Sequence, residues 1–228
     1  MKVYPLFYLI LSILGLFFYM YSPNFSDQYL AQLGGGLAFW LGIGYLILKY
    51  PLRTMTSKLK EKRSWMIFSP YIVAHYLAYS LLLNAILGVS SPSLLALTYA
   101  PMDSVNPSNL IELLFSPSIS IGAGAYIDLS FFAILMGIVI GLLVLGNLLE
   151  TKKFRNVTKL AIPVIGIIGG STCCISIASI VAYYDPILSG EVSNDLMKGV
   201  VDTIFIGLPL ITSFFLWLNY RLLSRVPR

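Results

Sequence analysis

Charge is what this sequence has least of. Asp, Glu, Lys and Arg together make up 11% of its 228 residues, where a soluble domain carries about a quarter. Histidine occurs once and cysteine twice. Each shortage excludes a chemistry. One histidine cannot ligate two haems or build a multi-histidine copper site, and no HExxH zinc motif occurs. Two cysteines make neither a disulfide framework nor a four-thiolate zinc site. No Gly-rich loop with a lysine follows a strand, which removes a nucleotide-binding engine. A serine nucleophile would need His75 as its base, and nothing beside it fixes that geometry. The balance leans away from an enzyme, and the sequence names no catalytic residue and no resident cofactor.

Apolar sequence is what remains. Hydrophobic residues make up 57% and the mean hydropathy is +0.83. Segments of spanning length, roughly 20 residues, fall near 4–21, 29–50, 65–90, 122–149, 160–184 and 200–220. The expected fold class is therefore all-α: a polytopic membrane bundle of six helices forming a single domain over 1–228. The first segment ends in Phe17-Phe18-Tyr19-Met20-Tyr21 rather than in small residues, so it reads as an uncleaved span and not a signal peptide.

The net charge of +5 and a pI near 9.1 would suggest nucleic acid in a soluble chain. Here the basic residues sit between spans. Lys2 precedes span one; Lys49, Arg53, Lys58, Lys60, Lys62 and Arg63 sit at or after span two; Lys152, Lys153, Arg155 and Lys159 follow span four; Arg221, Arg225 and Arg228 follow span six. Of the 15 Lys and Arg, only Lys198 lies on the other side. The positive-inside rule places both termini in the cytoplasm, and the even number of spans agrees. No basic face interleaved with aromatics appears, so no nucleic-acid partner is expected. The expected location is the cell membrane. The expected partners are the lipid bilayer and other membrane subunits or further copies of this chain.

Within this frame several features stand out. Asn24-Phe25-Ser26 is a glycosylation acceptor pattern in the first outer loop. Ser64 reads as the N-cap of span three, and Pro70 should kink that helix or mark its true start. Small residues four apart make ridges at Gly34, Ala38 and Gly42, at Ala133, Gly137 and Gly141, and at Gly166, Gly170, Cys174, Ala178 and Ala182. Such ridges let helices approach closely in lipid. Glycine-broken spans two and five occupy corresponding places in the two halves, a pattern that accompanies inverted-repeat transporters. Residues 91–121 form a long outer connection in which Ser91-Pro92 and Asn106-Pro107 look like helix starts. Two short helices are expected there, on the membrane surface or capping the bundle.

Five residues are candidate sites. Cys173 and Cys174 are adjacent in span five and could bind a soft cation such as Cu(I) or Hg(II), or act as a redox pair. The competing reading makes both cysteines packing residues, with Cys174 in register with the ridge. The pair resembles the cysteine-bearing first helix of mercuric-ion transport proteins. Where that pattern has a proline after the pair, Ile175-Ser176-Ile177 stands here, so no family follows. His75, at mid-depth in span three, is a candidate soft-metal ligand or a neutral imidazole bonded to a neighbouring helix. Asp128 and Asp202, near the outer ends of spans four and six, could collect cations at a mouth or be wetted interface residues. The expected function is that of a non-catalytic subunit of a larger membrane complex, such as a respiratory one, or a small transporter-like bundle. The alternative is soft-metal transport or binding, or thiol redox chemistry, at the vicinal cysteines.

Overall fold

The computed structural model describes residues 4–87, 95–98, 102, 104–106, 109–122, 126–151 and 195–225. The described chain is mostly helical. Its helices are α1 (Tyr4–Met20), α2 (Gln28–Lys49), α3 (Arg53–Lys58), α4 (Lys62–Leu87), α5 (Asn109–Phe115), α6 (Phe131–Thr151) and α7 (Asp195–Arg225). Three strands, β1 (Leu95–Thr98), β2 (Ser118–Gly122) and β3 (Tyr126–Ser130), form an antiparallel sheet in the order β1-β2-β3.

The core is built around α6. Ile140, Leu142, Leu143, Val144 and Leu145 are at most 1% exposed. Against them pack Leu52 and Met55 from the α2–α3 corner, Phe68 and Tyr71 of α4, and Leu216 of α7. Side-chain contacts fix the direction of each helix. Gly137 of α6 meets His75 and Tyr76 of α4, and Gly141 meets Phe68 and Ile72, so α4 and α6 are antiparallel. Trp40 and Gly44 of α2 meet Phe132 and Leu135 in turn, so α2 runs parallel to α6. Val139 and Leu143 share a groove with Ser213, Phe214 and Trp217, and further along Asn147 bonds to Leu216 and Asn219. Helix α7 is therefore parallel to α6 as well.

Helices α1 and α2 form an antiparallel hairpin with almost no space between backbones. Tyr8 stacks on Tyr45 with ring centroids 3.6 Å apart, Ser12 faces Gly42, and Gly15 faces Gly35. A Cβ at Gly35 would lie 2.6 Å from the Tyr19 nitrogen and 2.7 Å from the Gly15 oxygen. This corrects the expected ridge by one residue. Gly34 has nothing within 4 Å of a Cβ, and it is Gly35 that lies in the seam with Gly42. The ridge expected at Ala133, Gly137 and Gly141 does lie against a neighbour: Ala133 is buried and both glycines face α4.

The long connection differs from expectation. Among its described residues it holds one helix, α5, with strands β1 and β2, and the helix start expected at Ser91-Pro92 lies outside the described residues. Span four was expected to begin at residue 122, yet the helix begins at Phe131, with 118–122 in β2 and 126–130 in β3. The register sets Ser118 opposite Ser130 and Ser120 opposite Asp128. The alternation Ser118-Ile119-Ser120-Ile121 before Gly122 is a strand signal that outweighs the overall hydropathy. Ser130 ends the strand and caps α6: its Oγ accepts from the Ala133 nitrogen at 3.2 Å. Ser130→Ala is expected to lower stability by about 0.5–2 kcal/mol, measurable as a lower midpoint in thermal unfolding of the purified protein.

Two smaller expectations also change. Ser64 lies inside α4, which starts at Lys62, so it is not the cap. Pro70 sits within the same helix rather than at its start. By contrast α2 has a true cap, Asp27, whose carboxylate accepts from the Leu30 nitrogen at 3.0 Å. The connection packs on the C-terminal end of α1 and the N-terminal halves of α2 and α6. Gln28 Nε2 donates to the Met102 oxygen at 2.7 Å, and Trp40 Nε1 donates to the Leu113 oxygen at 3.2 Å.

Among the described residues two helices are long and apolar enough to cross a membrane, Gln28–Lys49 with mean hydropathy 1.5 and Phe131–Glu150 with 2.6; Pro5–Met20 is apolar but shorter. Their burial differs: 78% of the α6 window is inside the protein and 28% of the α2 window. A core helix of any protein can be as apolar as α6, so its hydropathy alone says little about lipid. The exposed faces of its neighbours say more.

Candidate functional site

Of the five candidate residues, His75 is the one whose side-chain surroundings are described. Cys173 and Cys174 lie outside the described residues. Asp128 is on β3 rather than in a helix, and Asp202 is in the N-terminal half of α7. Among the described residues no three His, Cys, Asp or Glu side chains are grouped as a metal would need.

His75 is fully buried in the seam between α4 and α6. Its ring lies 5.1 Å from the perpendicular ring of Tyr76 and 5.9 Å from that of Tyr71. The Tyr76 hydroxyl donates across the seam to the Ile134 oxygen at 3.1 Å. Gly137 makes room for both rings: a Cβ there would lie 2.5 Å from Tyr76 Oη and 3.3 Å from His75 Nε2. The small-residue ridge of α6 thus accommodates the aromatic and imidazole rings of α4. A polar group held in this way can lock two helices in register.

The second polar locus was missed in the sequence. Asn147 is fully buried near the C-terminal end of α6. Its Nδ2 donates to the Leu143 oxygen of its own helix and to the Leu216 oxygen of α7, both at 2.8 Å. Asn219 Nδ2 donates to Asn147 Oδ1 at 2.9 Å. Both donors of Asn147 and its acceptor are thereby engaged. One turn further on, Lys58 of α3 forms an ion pair with Glu150 of α6 at 2.9 Å, and its ammonium lies 5.4 Å from the Tyr220 ring. The Arg221 guanidinium stacks 4.1 Å from the Trp217 ring. Asn147 and Glu150 are three apart, on one face of the helix. That spacing, within an otherwise apolar run, was the available signal.

Beside this clasp lies a groove of about 260 Å³ lined by Ile47, Pro51, Leu52, Val139, Leu143, Ser213, Phe214 and Trp217. Ser213 is the one polar residue in its wall. Together, the locus can hold α3, α6 and α7 to one another. No protein-family model, curated protein or solved structure matches this chain.

Proposed function

We propose that this chain is a polytopic cell-membrane protein of six spans, with both termini cytoplasmic, acting as a non-catalytic subunit of a larger membrane complex. The observation that carries the reading is where the apolar surface lies. Large apolar side chains face outward on α1 (Leu6, Phe7, Ile13), on α4 (Met66, Val73) and on α7 (Phe215), each 54% exposed or more. Meanwhile Gln32, His75 and Asn147 are fully buried. Water would favour the reverse, whereas hydrocarbon favours an apolar exterior and internally bonded polar groups.

The helix directions support the count of spans. Helices α1 and α4 run one way and α2, α6 and α7 the other, as alternation across a membrane requires if one span lies between α6 and α7. With α6 and α7 parallel, a count of six needs one span between them, and the apolar sequence 160–184 has the length for it. The packed basic residues Lys58 and Arg221 lie together at one end, in keeping with a cytoplasmic face.

A subunit role fits the way the polar groups are used. Tyr76, Asn147 and Lys58 each bond to a neighbouring helix. Helix α1 packs mainly on α2 and leaves its opposite face apolar, a surface suited to another membrane helix. After gentle extraction the chain is expected to migrate with fixed partners or copies at constant stoichiometry on native gels. A lone monomer in bilayer nanodiscs as well as in detergent would overturn the subunit role. The soft-metal or thiol alternative, with Cys173, Cys174 and His75, predicts a different result. Replacing both cysteines by alanine should leave assembly intact on the subunit reading. Loss of function with the fold retained would favour the thiols.

A further inference from the structure

We propose that the groove between α2, α6 and α7 holds an acyl chain of an anionic phospholipid of the cytoplasmic leaflet, with its phosphate on Arg221 and Arg53. This inference rests on the membrane reading above and adds a ligand to it. The groove is open on its lipid side, where Phe214 is 56% exposed, and its wall is apolar except for Ser213. It has a polar end and an apolar end in the orientation a lipid needs. Trp217 lies toward the cytoplasmic ends of the helices, with Val139 and Ser213 deeper.

One cation, Arg221, packs on the lining residue Trp217 at the polar end, and a second, Arg53, follows the lining residues in sequence. Arg221 stacks on Trp217, which lines the groove. Stacking occupies only the face of the guanidinium and leaves its N–H donors, which lie in the plane, free to form paired bonds to phosphate. Arg53 is exposed and directly follows the lining residues Pro51 and Leu52. Neither arginine is ion-paired among the described residues, whereas the carboxylate of Glu150 is held by Lys58. Basic pockets between helices on the cytoplasmic side are suited to anionic headgroups.

The test uses full-length protein in phosphatidylcholine bilayers doped with lipids brominated on the acyl chain, read by tryptophan fluorescence. The contribution of Trp217 is the difference between the native chain and Trp217→Phe. Trp65, 52% exposed on α4, reports bulk lipid. At equal mole fraction, brominated phosphatidylglycerol is expected to quench Trp217 about fivefold more strongly than brominated phosphatidylcholine for each arginine engaged, with saturation. Arg221→Gln, an exposed substitution that leaves the core untouched, should reduce that preference by about fivefold. Equal quenching of Trp217 by both lipids would overturn the proposal, as would protection of Trp217 from both while Trp65 is quenched, which would mean that protein fills the groove. If neither tryptophan is quenched, it is the membrane reading that fails.

Discussion

Gly35→Ala is expected to destabilise the protein sharply, while the same change at Gly34 leaves it as stable as before or more so. The new methyl at Gly35 would lie 2.6 Å from the Tyr19 nitrogen and 2.7 Å from the Gly15 oxygen. Both obstacles are backbone, so no side-chain rotation relieves them and α1 and α2 must move apart. Forced overpacking of this kind costs about 1–3 kcal/mol. The loss extends beyond the contact, because the same hairpin carries the Tyr8–Tyr45 stack and the fit of Ser12 against Gly42. At Gly34 a Cβ meets nothing within 4 Å, and replacing an open helical glycine by alanine gains up to about 1 kcal/mol. Thermal or SDS-induced unfolding of the two purified variants separates them. Equal midpoints would mean that the hairpin is not packed backbone to backbone.

The pair also marks how far the sequence could be read. A run of three glycines at 34–36 offers three possible ridges, and spacing alone favours none. The partner decides: Gly15 of α1 selects Gly35. Where a ridge has no such ambiguity, as at Ala133, Gly137 and Gly141, its placement was legible from the sequence. The positions of the helices themselves followed closely from hydropathy, since α1, α2 and α4 lie close to the expected spans. Residues 126–130 were misread because averaging hydropathy over a span-length window hides alternation with a period of two. Ile127 and Leu129 count toward a helix in such a window, although they belong to a strand. The Asn147 locus was harder to see. Asn147 and Glu150 lie near the expected end of span four, where polar residues are taken for interface. Only the position of α7 shows that Asn147 is buried between helices.

That burial makes Asn147 the second large effect. Asn147→Leu keeps the branching of the side chain but removes the acceptor used by Asn219 and the donor used by the Leu216 oxygen. Leaving such groups unsatisfied in a buried seam costs about 1–3 kcal/mol. Asn219→Leu should cost less, because Asn147 then keeps both of its carbonyl partners and loses only one bond. In the double variant Asn219 is already gone, so the two losses should not add, and the coupling should exceed about 0.5 kcal/mol. Lys58→Met serves as a contrast. The ion pair it breaks is partly exposed, with side-chain exposures of 22% and 14%, and pairs near a surface contribute about 0–1 kcal/mol. The expected order of unfolding midpoints, from lowest, is therefore Asn147→Leu, Asn219→Leu, Lys58→Met. Strict additivity of the two asparagine variants would mean that they do not share a bond, and the parallel packing of α6 and α7 would lose its anchor. Coupling above that level would tie α7 to α6 at a defined register.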